Sequence, residues 1–381
     1  DYPPGDSREI AALCAKKMAE NGMQTTVVTP PDSVISPMND GLSNEIKPSV
    51  IGKIYGEGEG PTVLMSAHMD TVLAGDLSRW KYDPFAGVND NGVIYGRGAG
   101  DCKGSVCIQV MAALALKRAG VKLKGDLLIN PIADEEASGH RGANFLRDYN
   151  IVKPDLIIIG EQTENEVAVA ERSIMYCDIT IKGKAVHGAL PWRGVNATVL
   201  MAEFIHTVNT ELIPEVEKVE HPYLPKTTIS MTRIDGGIRT NIIPELCTLS
   251  VDCRMVPGVK EEYILQRFNE ILQKMSDQGP AFKWNIKVTN TDNGISVNTD
   301  PAHPLVQAML SATSEVKGKD AQPTGYFQHS DGSRFARLGV PIAIFGPTDP
   351  GLGHATDERV TEEELMEGTK ILTLALLRLL T

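Results

Sequence analysis

The pattern of hydrophobic and polar positions separates the chain into an outer part and a middle part. In the outer part, short apolar runs that predict strands alternate with longer segments that predict helices, which is typical of an α/β layer with a largely parallel sheet. We predict strands there at 25–28, 50–55, 62–67, 127–132, 156–159 and 341–345. We predict helices there at 103–119, 142–148, 303–316, 331–338 and 361–380.

Two helix starts in the outer part carry capping signals. Thr361 and Glu364 are spaced as a capping box at the start of the last helix. Asp6 and Glu9 have the same spacing at the start of a first helix, whose apolar stripe includes Leu13. We therefore expect reciprocal side-chain and main-chain hydrogen bonds at both starts.

The middle part has a different order of elements. We predict a strand at 174–182, a helix at 196–212, strands at 227–234 and 245–254, a helix at 261–275 and a strand at 283–289. This βαββαβ order is the ferredoxin-like unit. Residues 246–254 alternate between apolar and polar side chains, so one face of that strand packs on the helices and the other stays polar.

These patterns predict an α/β fold with two domains, as expected for 381 residues. Residues 1–172 and 295–381 form a catalytic α/β/α domain with a central, mostly parallel sheet. Residues 173–294 form an inserted ferredoxin-like domain.

Composition and charge exclude several classes of function. Acidic residues outnumber basic ones by 49 to 37, and a net charge of −12 disfavours binding to nucleic acid. No apolar run reaches the roughly 18 residues of a membrane span, and the N-terminus is not typical of a signal peptide. The chain begins at Asp1 rather than at a methionine, which leaves room for a removed leader or first helix. The six cysteines include no CxxC pair, so we expect free thiols and a cytoplasmic protein without membrane partners.

Histidines and carboxylates follow the predicted strands of the outer part at regular places. They are His68 and Asp70 after 62–67, Asp134, Glu135 and Glu136 after 127–132, Glu161 after 156–159, His354 and Asp357 after 341–345, and Asp101 before the helix at 103–119. Ligand sites of open α/β sheets lie at the carboxyl ends of the strands. Two imidazoles and three carboxylates suit two divalent cations such as zinc.

The remaining carboxylates near these strand ends suggest supporting roles. Asp70, two residues beyond His68, could hold the other ring nitrogen of that histidine. Glu135 and Glu136 are adjacent and cannot easily serve the same ion. One of the two is therefore expected to be a metal ligand and the other a general base.

Five motifs resemble the M20 family of metallopeptidases and amidohydrolases. They are HMDTV (68–72), GRGAGDCKG (96–104), ADEEASG (133–139), GEQT (160–163) and GLGHATDE (351–358). The resemblance covers nearly the whole chain, and the motifs occur in the family's order. The family includes acetylornithine deacetylase, succinyl-diaminopimelate desuccinylase, aminoacylase-1 and carboxypeptidase G2.

The resemblance implies a specific set of metal ligands. His68 and Glu161 would bind one ion, Glu136 and His354 would bind the other, and Asp101 would bridge them. The implied cofactors are two divalent metal ions per chain, taken as Zn²⁺, with Co²⁺ or Mn²⁺ as alternatives.

The resemblance also implies catalytic residues beside the metals. Asp70 would orient His68, and Glu135 would be the general base. His187, in GKAVHGALP (183–191), would stabilise the oxyanion by reaching across a homodimer that forms through the inserted domain.

For the substrate, the resemblance places Asn241 of RTNIIPE (239–245) in the site and assigns Arg254 to the substrate carboxylate. Arg172 is predicted to bind substrate with them. A salt bridge between Arg254 and Asp252 is the structural alternative. The expected partner is a small-molecule amide with a free carboxylate.

Several positions depart from the family pattern. Gln162 stands where many relatives have proline, and residues 326–332 replace a stretch of small residues, so the acyl group of the substrate could be unusual. Relatives often have a cis peptide after the bridging aspartate. We therefore predict a cis peptide between Asp101 and Cys102.

The leading hypothesis is a zinc-dependent hydrolase that cleaves the amide of an N-acyl amino acid or a similar carboxylate-bearing amide. A dipeptidase or carboxypeptidase on the same site is a second hypothesis. An aminohydrolase or carbamoyl hydrolase that releases ammonia is a third. A metal-free relative used only for binding is disfavoured, because no ligand position is replaced.

Overall fold

The structure of the chain, a computed structural model, describes residues 5–34, 41–289 and 294–381. The chain folds into two compact units. The first unit comprises Asp1–Glu171 with Asp292–Thr381, and the second comprises Arg172–Thr291. The first unit is therefore built from two separate segments of the chain, on either side of the second.

The first unit contains twelve strands and six helices within the described ranges. The strands are β1 (Gln24–Val28), β2 (Ser49–Ile54), β3 (Val63–His68), β4 (Val88–Asp90), β5 (Val93–Tyr95), β6 (Leu127–Ile132), β7 (Leu156–Gly160), β8 (Ala168–Glu171), β15 (Val297–Asn298), β16 (Thr324–Tyr326), β17 (Ile342–Ile344) and β18 (Arg359–Thr361). The helices are α1 (Arg8–Glu20), α2 (Gly104–Arg118), α3 (Ala143–Asp148), α7 (Pro304–Lys317), α8 (Asp331–Phe335) and α9 (Glu362–Leu380).

A large mixed sheet forms the centre of this unit, in the order β1-β2-β6-β3-β7-β17-β8-β15, with β16 paired to β8. Its four central strands, β6, β3, β7 and β17, are parallel to one another. Their residues are buried throughout, as expected for strands covered on both faces. The predicted α/β fold with a central, largely parallel sheet is confirmed.

Helices cover both faces of the sheet. On one face, Leu64 and Ile157 belong to a buried cluster with Phe145 of α3 and Phe335 of α8. On the other face, α2 packs so closely that a Cβ atom at Gly160 would lie 2.7 Å from the Cβ of Ser105. Only glycine allows this approach between helix and strand. The residue after it, Glu161, is thereby fixed at the sheet edge.

The two predicted helix starts have different outcomes. At α9, the Thr361 side chain accepts from the Glu364 N–H and Glu364 accepts from the Thr361 N–H, so this capping box is confirmed. At α1, the capping box was a wrong prediction. Asp6 lies before the N-cap residue Ser7, and its carboxylate accepts from the main chain and the guanidinium of Arg8, the first residue of the helix. The stripe was also misplaced, since Leu13 is exposed and the buried residues are Ala11 and Met18.

Up to residue 289, where the described part of the second unit ends, this unit contains a four-stranded antiparallel sheet, a two-stranded sheet and three helices. The strands are β9 (Ser173–Lys182), β10 (Val186–His187), β11 (Thr228–Gly236), β12 (Ile242–Ile243), β13 (Leu246–Met255) and β14 (Lys283–Val288). The helices are α4 (Ala197–Thr207), α5 (Ile213–Val216) and α6 (Glu261–Gln278). The larger sheet has the order β11-β13-β9-β14.

The chain order β9-α4-β11-β13-α6-β14 is the βαββαβ arrangement predicted from the sequence. In β13, the residues from Cys247 onward alternate strictly between buried and partly exposed, as the polar-apolar pattern predicted. The buried side of α6 carries Ile264, Phe268 and Leu272. These apolar faces form the core between the sheet and its helices.

One helix of the first unit, Ala99–Arg118 including the turn before α2, is long and apolar enough to cross a membrane by length and composition alone. In the structure, 67% of the most apolar 18-residue stretch of this helix is buried inside the protein, as in a core helix.

Candidate metal centre

The carboxyl ends of the four central parallel strands bring distant residues to one edge of the sheet. His68 is the last residue of β3, and Glu161 directly follows β7. Glu136 lies in a short turn after β6, and His354 lies in the loop after β17. Asp101 comes from the turn before α2. The parallel order of neighbouring strands is the reason that these residues meet.

The Asp101 carboxylate lies between two imidazoles. Its Oδ1 is 2.9 Å from Nε2 of His68, and its Oδ2 is 3.2 Å from Nε2 of His354. Each carboxylate oxygen therefore faces a different histidine. This is the geometry that a carboxylate bridging two cations requires.

A further carboxylate accompanies each imidazole. Oε1 of Glu161 lies 4.0 Å from Nε2 of His68, and Oε1 of Glu136 lies 3.1 Å from Nε2 of His354. Ligand atoms of His68, Asp101 and Glu136 lie within 4.8 Å of one another. The structure thus brings together all five residues that the sequence suggested as metal ligands.

The loop that carries Asp101 is held by the buried carboxylate of Glu358. Its Oε1 accepts from the main-chain N–H groups of Gly100 and Asp101 at 2.9 and 2.8 Å. Its Oε2 accepts from Gly98 at 3.0 Å and from the Arg97 guanidinium at 2.6 Å. Four donors on one carboxylate fix the path of this loop. The peptide between Asp101 and Cys102 is cis, which confirms the prediction for that bond.

Asp70 supports the site through both its main chain and its side chain. Nδ1 of His68 lies 2.9 Å from the main-chain oxygen of Asp70 and 3.7 Å from its carboxylate. A carbonyl only accepts, so Nδ1 carries a proton and Nε2 is the nitrogen that faces Asp101. The Asp70 carboxylate accepts from the N–H groups of Glu135 and Glu136 at 3.2 and 3.3 Å. Asp70 therefore orients the histidine and also anchors the turn with the two glutamates.

The charges in this cluster shift the pKa of each member. Hydrogen bonds with Asp101 and Glu136 raise the pKa of His354 to about 10. Burial disfavours the charged form of His68, but nearby Cys102, Asp101 and Glu161 raise its pKa well above the usual value. Burial raises the pKa of Glu161 well above its usual value. Closely packed carboxylates need compensating positive charge, which two divalent cations would provide.

The donor set fits two divalent metal ions. It combines two imidazole nitrogens with three carboxylates, and Nε2 of His68 faces the cluster, where loss of its proton would let it bind a metal. The Cys102 sulfur is also close to His68 and Glu161. Burial raises the pKa of the Cys102 thiol to about 12, and the thiol donates to the carbonyl of Gly160. In this arrangement Cys102 is buried, and its proton is used in the hydrogen bond to the main chain.

Sequence reasoning missed several residues that contact the cluster. The Tyr326 hydroxyl lies 3.1 Å from Oε2 of Glu161 and 2.9 Å from Oε1 of Gln328. Arg334 donates to Oε1 of Glu135 at 2.8 Å. The sequence signal for Tyr326 and Gln328 was the departure from the family pattern at 326–332. No motif marked Arg334.

In the second unit, the two-stranded sheet brings two predicted substrate-site residues together. His187 of β10 pairs with Ile242, and the N–H of Gly188 donates to the main-chain oxygen of Asn241 at 2.7 Å. Nδ1 of His187 accepts from the N–H of Ala189, so its proton is on Nε2. The His187 ring is exposed and can offer that N–H to a ligand.

The two predicted substrate arginines are also neighbours. The Arg254 guanidinium makes two hydrogen bonds to the Asp252 carboxylate, at 2.8 and 3.1 Å, and one to the Tyr176 hydroxyl. The salt-bridge alternative for Arg254 thus describes its observed contact. Burial and the nearby charge of Arg254 lower the pKa of Arg172. The charge of Asp252 also acts on Arg172, in the direction that raises its pKa, so the two guanidiniums and this carboxylate form one charged group.

The chain is similar to known proteins over most of its length. The model of Peptidase family M20/M25/M40 matches residues 64–378. A probable succinyl-diaminopimelate desuccinylase of Staphylococcus epidermidis is 25% identical over 358 residues, covering 87% of this chain and 85% of that protein. N-formyl-4-amino-5-aminomethyl-2-methylpyrimidine deformylase of Bacillus subtilis is 26% identical over 347 residues, covering 85% and 81%.

The fold also matches a solved structure. The YXEP protein of Bacillus subtilis, described as a dinuclear metal binding peptidase from the M20 family, aligns with a TM-score of 0.71. The alignment covers 98% of this chain and 92% of that one, at 15% identity. The likeness extends over both units of the chain.

The contact between Tyr326 and Glu161 leads to a prediction for metal binding. Tyr326→Phe removes a donor to Oε2 of Glu161, so that side chain is held less firmly as a ligand. We expect zinc affinity to fall about 10- to 100-fold at one of two sites, as for other lost supporting contacts. Competition titration with a chromophoric chelator measures this.

The control for this prediction is Tyr55→Phe, which removes a hydroxyl from an exposed tyrosine at the end of β2. It should leave zinc affinity unchanged. Equal zinc affinity of Tyr326→Phe and the unaltered protein would show that the hydroxyl does not support Glu161.

Proposed function

Because the chain belongs to Peptidase family M20/M25/M40 and is a hydrolase of that family, we propose that it is a two-zinc enzyme that removes the acyl group from an N-acyl amino acid or a similar carboxylate-bearing amide. The observation that carries the proposal is the Asp101 carboxylate, with one oxygen towards His68 and the other towards His354. Glu161 and Glu136 complete the two ligand sets.

Two further observations favour an acyl amide over other substrates. The desuccinylase and the deformylase among the relatives are both named for the removal of an acyl group from nitrogen. The adjacent Arg172 and Arg254 provide positive charge for a substrate carboxylate. An arginine matches a carboxylate with two parallel hydrogen bonds, so exchange of Asp252 for substrate at Arg254 keeps that geometry.

The proposed reaction assigns a separate task to each residue around the metals. When bound, two zinc ions polarise the amide carbonyl and make water more acidic. Glu135 takes a proton from the attacking water, whose oxygen forms the new bond to the carbonyl carbon. Glu135 then gives the proton to the leaving nitrogen as the C–N bond breaks. The products are a carboxylic acid and a free amine.

His187 is proposed to stabilise the oxyanion of this reaction through its Nε2–H, with Asn241 beside it at the substrate. We propose that His187 acts in the site of the partner subunit of a homodimer. The edge strand β11 of the second unit supports such an assembly, because Ile234 and Ile238 on and beside it are exposed. The free thiols support the proposed cytoplasmic location.

A turnover screen tests the substrate class. Zinc-loaded protein should hydrolyse N-acetyl or N-succinyl amino acids faster than N-carbamoyl compounds or dipeptides, with release of the amine measured by a fluorogenic reagent. Preference for dipeptides would favour the peptidase alternative, and ammonia release would favour the carbamoyl hydrolase. Less than one zinc per chain together with no turnover would favour a protein used only for binding.

Variants of the two adjacent glutamates separate the general base from the ligand. Glu135→Gln should keep two zinc ions per chain and lower kcat about 10²- to 10⁴-fold, because the proton acceptor is lost. Glu136→Gln should lose one zinc ion. Inductively coupled plasma mass spectrometry gives the metal content. Zinc loss in Glu135→Gln, with full zinc in Glu136→Gln, would reverse the two roles.

Mixed dimers test whether His187 acts across the subunit interface. Glu135→Ala and His187→Ala chains should each be inactive alone. After subunit exchange, part of the activity should return, because one site of each mixed dimer then has both residues intact. Exchange is followed by native mass spectrometry. Absence of recovery after proven exchange would mean that each site is built from a single chain.

A further inference from the structure

A buried arginine contacts the glutamate proposed as the general base. Nη1 of Arg334 donates to Oε1 of Glu135 at 2.8 Å, and its Nη2 lies 3.4 Å from the main-chain oxygen of the same residue. The side chains are 4% and 10% exposed. The two residues are 199 positions apart in the chain. Arg334 therefore holds both the side chain and the main chain of Glu135.

Asp331 fixes the arginine from the same helix. Its Oδ1 accepts from Nη1 of Arg334 at 2.6 Å, and the two residues lie three positions apart on α8. The start of α8 is fixed as well. The Ser330 side chain accepts from the N–H of Gly332 and donates to the buried carboxylate of Glu171. The guanidinium is thus attached to a rigid part of the first unit.

The turn that carries Glu135 is shaped to admit this guanidinium. Gly139, at the end of that turn, has a φ of +67°. A Cβ atom there would lie 2.5 Å from Cδ and 2.6 Å from Nε of Arg334. No side chain fits between the turn and the arginine. The packing is therefore specific to Arg334 in its observed position.

We propose that Arg334, held by Asp331, is a positioning residue for Glu135. It fixes Oε1 and so turns Oε2 towards the reacting water. This inference rests on the proposed role of Glu135 as proton acceptor. A carboxylate with one oxygen fixed cannot rotate away from the water, and misplacement of such a group by about 1 Å can cost 10²-fold in rate. Arg334 acts through Glu135, to which it donates directly.

The test uses full-length, zinc-loaded protein and the most rapidly hydrolysed N-acyl amino acid of the substrate panel. Arg334→Ala should lower kcat about 10- to 100-fold with KM within about 2-fold, and with two zinc ions per chain retained. Arg334→Lys should recover part of kcat. Asp331→Asn should lower kcat less than Arg334→Ala. The matched control is Arg337→Ala, an exposed arginine three residues further on, which should leave kcat unchanged.

A double-mutant cycle separates this inference from the proposed function. If Arg334 acts through Glu135, Arg334→Ala should cause no further loss when Glu135 is already Gln. An equal loss of kcat in both backgrounds would overturn the inference. A Glu135→Gln variant as active as the unaltered protein would instead overturn the role of Glu135.

A crystal structure of zinc-loaded Arg334→Ala provides a result that needs no substrate. The Glu135 carboxylate should be displaced or disordered, while His68, Asp101 and His354 stay in place. An unmoved Glu135 carboxylate would contradict the inference. If Arg334→Ala does not fold, as judged by circular dichroism, the same measurements on Arg334→Lys and Asp331→Asn decide the question.

Discussion

The whole site depends on the attraction between one carboxylate and two imidazoles. Asp101 lies in a largely buried space beside two further carboxylates, and such a group of like charges is stable only where positive charge is close. The surrounding structure maintains this arrangement with hydrogen bonds that themselves involve charged groups. Glu358 fixes the loop of Asp101 through three main-chain donors and Arg97, and Asp70 fixes the turn after β6. The loop of Asp101 and the turn of Glu136 are therefore held by contacts that are independent of any metal.

The sheet determines where these charges can meet. Four parallel strands in the order β6-β3-β7-β17 end at the same edge, so residues beyond them are neighbours in space although far apart in the chain. Because α2 packs closely on Gly160, the position of the next residue, Glu161, at the end of β7 is fixed. In the second unit, His187 lies in β10, Arg254 lies in β13, and Arg172 directly precedes β9. In the proposed function, the first unit would hold the metals and the second would contact the substrate.

Much of this could be predicted from the sequence, because long elements carry a strong periodic pattern. Strand β6 was predicted at its observed bounds, and the βαββαβ order of the second unit follows from alternation and helix periodicity. Strands of two or three residues, such as β10 and β15, carry too few residues for a pattern. At the site, the strand-end rule brought out four of the five candidate ligands among other carboxylates. The family resemblance selected these four together with Asp101, which precedes a helix. Arg334 was missed because it is 199 residues away from Glu135 in the chain. No local sequence pattern indicates a contact between residues so far apart.

The interrupted first unit has a consequence for how the protein is made. His68, Asp101, Glu136 and Glu161 all precede the second unit in the chain, whereas His354 follows it. A ribosome therefore exposes four of the five candidate ligands, and the entire second unit, before the fifth histidine is synthesised. The nascent chain passes through a stage in which Asp101 and Glu136 lack the imidazole that faces them in the finished fold. The proposed pair of ions would therefore find its complete set of ligands only after His354 has been synthesised.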